Sequence, residues 1–150
     1  MASGYPPPSG GNEMILTDLH IHSCLSPCAD ETMTPAAIVK AAKEAGLELI
    51  AITDHNSARN CPAVAAEAEK AGIGFIPGIE VTTSEEIHCV CLLPDLGKAA
   101  AFSRWLDTLR PGIVNRPNVF GRQTVIGSRG SRTEERELLF MARRISVNEL

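Results

Sequence analysis

Apolar residues along this chain fall into two alternating kinds of run. Residues 14–22, 49–52, 74–79 and 87–93 are short and rich in β-branched side chains, as strands are. The stretch Leu49-Ile50-Ala51-Ile52 is apolar throughout, which suits a strand covered on both faces. Between these runs the period becomes helical. Thr34 can cap a helix that begins at Pro35, runs to Ala45 and stops at Gly46, with Ile38, Val39, Ala41, Ala42 and Ala45 on one stripe. Pro62 to Ala71 repeats the design, with Asn60 or Cys61 as cap and Gly72 as stop. Strand, helix, strand, helix, strand requires parallel strands joined by right-handed crossovers, an α/β arrangement whose chemistry gathers at the carboxyl ends of the strands.

The second half is less regular. Lys98 to Leu109 carries Ala99, Phe102, Trp105, Leu106 and Leu109 at helical spacing and ends at Arg110-Pro111-Gly112. Residues 110–131 read as loop, with short strands at Val119-Phe120 and Thr124-Val125-Ile126, and Thr133 to Arg143 reads as a helix. The late arginines Arg122, Arg129, Arg132, Arg136, Arg143 and Arg144 are interrupted by Glu134, Glu135 and Glu137. This mixture predicts a solvated helix face with internal ion pairs rather than a phosphate-binding patch. Ser146-Val147-Asn148-Glu149 has the spacing of a capping box, a helix start with no helix after it.

Polar residues mark where the strands stop. Side chains alternate across a strand, so Asp18, His20 and His22 share one face while Leu19 and Ile21 take the other. Thr53-Asp54-His55 closes the second strand, Glu80 follows the third, and His88 opens the fourth. These four imidazoles are all the histidines of the chain. An isolated His-x-His is a common polar strand end; every histidine sorting to a strand end is not. Imidazole is the commonest ligand of zinc, manganese and iron, and a nearby carboxylate can orient it. All candidates lie near the carboxyl edge except His88, if its strand runs the other way.

Composition narrows the partners. The net charge is −4 over 150 residues, with one tryptophan, one tyrosine and four phenylalanines. That balance disfavours a nucleic-acid surface and fits a small phosphorylated substrate better. Nowhere do eighteen apolar residues run together, so no membrane span is expected. Residues 1–13, rich in glycine, proline and serine, predict a disordered tail without the charged start and apolar stretch of a signal peptide, consistent with a cytoplasmic protein. Five cysteines without a secretory signal predict reduced thiols. Cys89 and Cys91 should face away from His88, Cys61 should be buried, and Cys24 and Cys28 follow the His20/His22 pair closely enough to approach it. No Walker loop, GxGxxG, GxSxG or internal repeat occurs.

The runs Asp18-Leu19-His20-Ile21-His22-Ser23, Thr53-Asp54-His55, Pro77-Gly78-Ile79-Glu80 and Ile87-His88 resemble the successive motifs of the PHP (polymerase and histidinol phosphatase) domain. The wording Ser23-Cys24-Leu25-Ser26-Pro27-Cys28-Ala29-Asp30 further resembles the small stand-alone bacterial members. The resemblance implies an α/β fold, the amino-terminal part of a distorted (β/α)7 TIM-like barrel. It also implies a metal-dependent phosphoesterase with up to three divalent ions, for which zinc, manganese and iron are all suitable. His20, His22, His55, Glu80 and His88 fall on metal-ligand positions, Glu80 as a bridge between two ions; Asp18 and Asp54 look peripheral. Asp54, His55 and Glu80 are the expected catalytic group, with Asp54 able to move protons. Family members place a further ligand after the His-x-His pair, and the candidates here are Cys28 and Asp30, of which Asp30 is the expected one. Members also complete the site with a late histidine and an Asp-x-His pair; no histidine follows His88. Residues 14–150 are therefore expected to be a PHP domain truncated at its carboxyl end. The alternatives are a metal-binding or regulatory PHP-like module without catalysis, and the PHP nuclease domain of a DNA polymerase.

Overall fold

A computed structural model describes residues 14–150; the expected tail, residues 1–13, lies outside the described residues. Four strands form one curled sheet in the order β1 (Thr17–Ile21), β2 (Leu49–Ile52), β3 (Gly74–Thr82) and β4 (His88–Leu92). β1, β2 and β3 are parallel, and β4 returns antiparallel to β3. The parallel pairs are linked by α1 (Pro35–Glu44) and α2 (Cys61–Ala71), as their punctuation predicts. Thr34 accepts the Ala37 amide at the start of α1, and Gly46 follows its end at φ +75°, a left-handed conformation that glycine adopts at little cost.

The core lies between the sheet and three helices. Ile50, Ile52, Ile79 and Val81 from the strands meet Ile38, Val39 and Ala42 of α1, Val64 and Ala68 of α2, and Leu106 of α3 (Leu96–Asp107). Each large aliphatic side chain buried there contributes about 1.5–3 kcal/mol. Gly78 allows the strands to close. A Cβ on it would lie 2.9 Å from Thr53 Cγ2, 3.0 Å from the Ile52 carbonyl oxygen and 3.1 Å from Leu92 Cδ2.

Asn60 caps α2 by position only. Its backbone is helical and its side chain makes no cap bond. It reaches inward instead, donating to Ser23 Oγ (2.9 Å) and the Thr124 carbonyl (3.1 Å) and accepting from the Ile126 amide (2.8 Å). One buried amide thus joins the loop after β1 to β5 (Thr124–Ile126).

The second half departs from its sequence pattern. Residues 133–143 form no helix: Arg132–Glu134 is a strand, β6, paired with β5. Buried Gln123 explains the rest. Its Nε2 donates to the Glu135 and Glu137 carbonyls (3.1 and 2.7 Å), and its Oε1 accepts the Leu139 amide (2.8 Å). Backbone groups that a helix would satisfy internally are taken by a tertiary partner. Val119-Phe120 lies not in a strand but in a short helix, α4 (Pro117–Phe120), begun by Pro117 and closed by the Arg116 carbonyl accepting both amides. Glu135 and Glu137 pair with distant cations rather than along a helix. Glu135 binds Arg59 and Arg110, Asp107 binds the same two arginines, and Glu137 binds Arg110. Arg143 is buried. At Ser146, the amide and hydroxyl both donate to the Glu149 carboxylate (2.9 and 2.7 Å), one half of the expected capping box.

Candidate metal centre

Strand direction assembles this site. β1 and β2 run parallel and end at the same edge, so His20, His22 and His55 emerge together. β3 overshoots β2, and the chain after β2 continues the pairing: the Glu80 amide donates to the Asp54 carbonyl (3.1 Å) and the Asn56 amide to the Glu80 carbonyl (2.9 Å). Glu80 is thereby clamped beside His55. β4 is antiparallel, so its first residue, His88, lies opposite Thr82 at the same edge; a parallel strand would have delivered it to the far end.

The imidazoles converge on one carboxylate. Glu80 Oε2 lies 3.3 Å from His20 Nε2, 2.9 Å from His22 Nε2 and 3.5 Å from His55 Nδ1, and Glu80 Oε1 lies 3.2 Å from His88 Nδ1. His20 Nε2 and His22 Nε2 are 3.2 Å apart. Glu80 and His55 are buried, whereas His20 and His88 form an exposed rim. Three overlapping groups have ligand atoms within 4.8 Å of one another: His20, His22, Glu80; His55, Glu80, His88; and His22, Cys28, His55. Asp30 belongs to none of them. It is exposed and accepts the Thr32 amide at 2.7 Å in a local turn. Cys28 instead reaches the cluster, its Sγ 3.3 Å from His55 Nε2.

A buried hydrogen-bond chain orients these side chains from behind. Asp54, fully buried, accepts from the Ser23 amide (2.7 Å), Ser23 Oγ (2.6 Å) and Ser26 Oγ (2.7 Å). Burial holds its carboxyl above the usual range against the downward pull of these donors; even so, three donors converging on its two oxygens call for the carboxylate, the acceptor-only form. A hydroxyl has one proton, so a Ser26 that gives it to Asp54 must accept from its other neighbours. Those are the His55 amide (3.1 Å) and His22 Nδ1 (3.0 Å). His22 then carries its proton on Nδ1 and turns a bare Nε2 lone pair toward Glu80. Asp18 acts only locally, accepting the His20 amide at 3.1 Å. Neither Ser26 nor Asn56, whose side chain joins β3 to the Leu139 and Met141 carbonyls, was legible as a site residue in the sequence. The one signal was their position beside the histidine motifs.

These electrostatics fit a cation. Burial, then the neighbouring His22, lowers His55 to about 4, and burial lowers His22, so both are neutral near pH 7, the form in which an imidazole can take a metal without releasing a proton. Burial would raise Glu80, but in the acid range where the imidazoles carry protons their positive charge and the His20 hydrogen bond outweigh it and hold the carboxyl below its usual range. Lone pairs of neutral imidazoles pressed against a carboxylate repel unless a positive charge lies among them. Ligand atoms about 2.0–2.1 Å from a shared ion are roughly 2.9 Å apart at octahedral and 3.4 Å apart at tetrahedral angles; Glu80 Oε2 lies 2.9 Å from His22 Nε2 and 3.3 Å from His20 Nε2, so each imidazole is spaced to share an ion with the carboxylate. His55 Nδ1 has no hydrogen-bond partner although buried, a cost that coordination or a closer carboxylate would remove.

A cleft of about 390 Å³ opens beside His55 and His88, walled by Pro27, Cys28, Val119, Phe120 and Phe140. Phe120 and Phe140 meet edge to face at 5.7 Å. Another groove, between α1 and α2, is lined by lysines and glutamates and contains none of the clustered ligands. Among the described residues no helix is long and apolar enough to cross a membrane.

The PHP domain family matches residues 18–144, and the chain belongs to that family. It is 35% identical over 97 residues to the 5'-3' exoribonuclease Rnm of Salmonella typhimurium, covering 61% of this chain and 32% of that one. It is 33% identical over 107 residues to the 3',5'-nucleoside bisphosphate phosphatase of Chromobacterium violaceum, covering 69% and 36%. An amidohydrolase structure from Chromobacterium violaceum superposes with a TM-score of 0.50 at 32% identity, over 61% of this chain and 33% of that one. A Bifidobacterium adolescentis structure, provisionally described as a metal-dependent phosphoesterase, shares the fold with a TM-score of 0.50 at 22% identity, over 65% and 35%. The chain thus spans about a third of the length of these relatives. The α/β architecture expected from the motifs is the one these structures share.

Proposed function

We propose that this chain carries the divalent-metal site of a PHP phosphoesterase and that its substrate is a small phosphate ester of nucleotide type. The observation that carries the reading is the convergence of four imidazoles on Glu80. Both named enzyme relatives, an exoribonuclease and a nucleoside bisphosphate phosphatase, act on phosphate esters of nucleotides. The aromatic cleft beside His55 has room for a ring next to a phosphate.

His20, His22, His55, Glu80 and His88 would hold the ions. A neutral imidazole gives one lone pair to one ion, so these five residues would suffice for two ions if Glu80 served both; a third would need ligands from elsewhere. Zinc, manganese and iron all suit such a set. When bound, the metal supplies Lewis acidity, drawing charge from a phosphate ester and making water acidic enough to lose a proton near neutral pH. The carboxylate of Glu80 fixes the separation of the ligand groups. Asp54, with its oxygens taken by Ser23 and Ser26, acts by positioning His22 and His55 rather than by moving a proton at the substrate. His88 and His20, exposed on the rim, are placed to meet the phosphate as it enters.

Metal content after desalting and hydrolysis of a chromogenic phosphate ester with added manganese or zinc test the reading together. Divalent metal should be retained, and Glu80→Gln should lose it along with any metal-dependent turnover. A chain that binds no divalent metal, or whose hydrolysis survives Glu80→Gln, overturns the proposal.

A further inference from the structure

We propose that Cys28 is a thiolate ligand of this centre, sharing one ion with His22 and His55, and that it biases that position toward zinc or ferrous iron over manganese or magnesium. The inference rests on the reading of the cluster as a metal site and specifies one of its positions.

Cys28 is placed differently from the other cysteines. Cys24, Cys61 and Cys91 turn their sulfurs toward backbone carbonyls, those of Thr124, Gly78 and Cys89 at 3.6, 3.7 and 3.8 Å. A carbonyl only accepts, so a thiol facing it keeps its proton. Cys28 Sγ faces an imidazole nitrogen, His55 Nε2, at 3.3 Å. Atoms bound to one ion at about 2.3 Å for sulfur and 2.0–2.1 Å for nitrogen lie roughly 3.1 Å apart at octahedral and 3.6 Å apart at tetrahedral angles. The observed separation lies between these.

The surroundings supply the remaining ligands. His22, Cys28 and His55 form a group with ligand atoms within 4.8 Å of one another. Ser26 turns the bare nitrogen of His22 inward, as argued above. With Nε2 on the ion, His55 keeps its proton on Nδ1, where Glu80 Oε2 is the carboxylate 3.5 Å away; that nitrogen is buried and otherwise without a partner. The loop is built to hold the sulfur in place. Ser26 donates its amide to the Ser23 carbonyl (2.9 Å), Ala29 donates to the Ser26 carbonyl (3.0 Å), and the Ser26 hydroxyl is anchored on Asp54. Binding releases one thiol proton to solvent per ion and forms one metal–sulfur bond. Soft thiolate disfavours magnesium and manganese, which prefer oxygen.

Titration of the metal-free chain with Co²⁺ tests this without relying on turnover. Wild-type protein should develop the near-ultraviolet thiolate-to-cobalt charge-transfer band. Cys28→Ser should lack it and Cys89→Ser should keep it. Zinc should displace cobalt from this position roughly tenfold or more better than manganese does, and Cys28→Asp should erase most of that preference. Alkylation by iodoacetamide gives a second measurement on unmutated protein: the exposed Cys28 should label in the metal-free chain and be protected by zinc. Visible cobalt bands without a near-ultraviolet band, a band that survives Cys28→Ser, or labelling indifferent to zinc overturns the thiolate ligand and leaves the metal centre standing. A wild-type chain that binds no cobalt or zinc overturns both.

Discussion

Ser26→Ala tests whether the ligands are oriented from behind. Ser26 is fully buried, and its hydroxyl makes three hydrogen bonds: to Asp54 (2.7 Å), from the His55 amide (3.1 Å) and from His22 Nδ1 (3.0 Å). Alanine strands a buried amide, at about 1–3 kcal/mol, and removes one donor from a buried carboxylate, a bond worth about 1.5–3 kcal/mol. These overlap, so a loss near 3 kcal/mol is expected in urea unfolding of the metal-free protein. Metal binding should suffer separately. Loss of the group that orients a ligating histidine typically costs about 10–100-fold in affinity, about 1.4–2.8 kcal/mol, measurable by competition with a chromophoric zinc chelator. Ser23→Ala is the control: it also removes a hydrogen bond to Asp54 (2.6 Å) but touches no imidazole. It should lower stability while leaving zinc affinity within a few-fold of wild type. Equal affinity losses in the two variants, or none in Ser26→Ala, would refute the orienting role.

Gly78→Ala should destabilise the fold by about 1–3 kcal/mol in urea unfolding, as overpacking does, because the new methyl meets Thr53, Leu92 and the Ile52 carbonyl inside 3.2 Å; unchanged stability would mean that β2 and β4 yield freely. Acid stability should depend on Glu135. Burial would raise its carboxyl, but the Glu137 amide, Arg110 and Arg59 outweigh that and hold it below the usual range. A depressed folded value contributes stability above the unfolded carboxyl pKa of about 4.3 and loses it as pH falls through the folded value. Thermal melts from pH 6 to 3 should therefore show a shallower acid limb for Glu135→Gln than for wild type, and parallel limbs would count against the ion network.

Much of the site was readable in the sequence because its information is local. His20 and His22 share a face through strand alternation, and Asp54, His55 and Glu80 sit where apolar runs end. The two helices were legible because Thr34, Pro35, Gly46 and Gly72 act within one turn of their own backbone. What failed were inferences about residues whose partners are distant. Asn60 occupies a cap position but bonds Ser23, Thr124 and Ile126 instead. Residues 133–143 have helical spacing, yet Gln123, about a dozen residues upstream, claims their backbone groups.

The choice between Cys28 and Asp30 shows the same division. Both lie within ten residues of His20 and His22, and by type alone either could ligate a metal. Sequence by itself determined the residue types, the strand ends and the parallel order of β1 to β3, because periodicity and capping are short-range. Only tertiary structure decided that β4 runs antiparallel and brings His88 to Glu80, that Ser26 couples Asp54 to His22, and that the loop after β1 turns Cys28 rather than Asp30 toward His55. Those outcomes depend on which buried donors and acceptors find each other across tens of residues, and no local pattern records that.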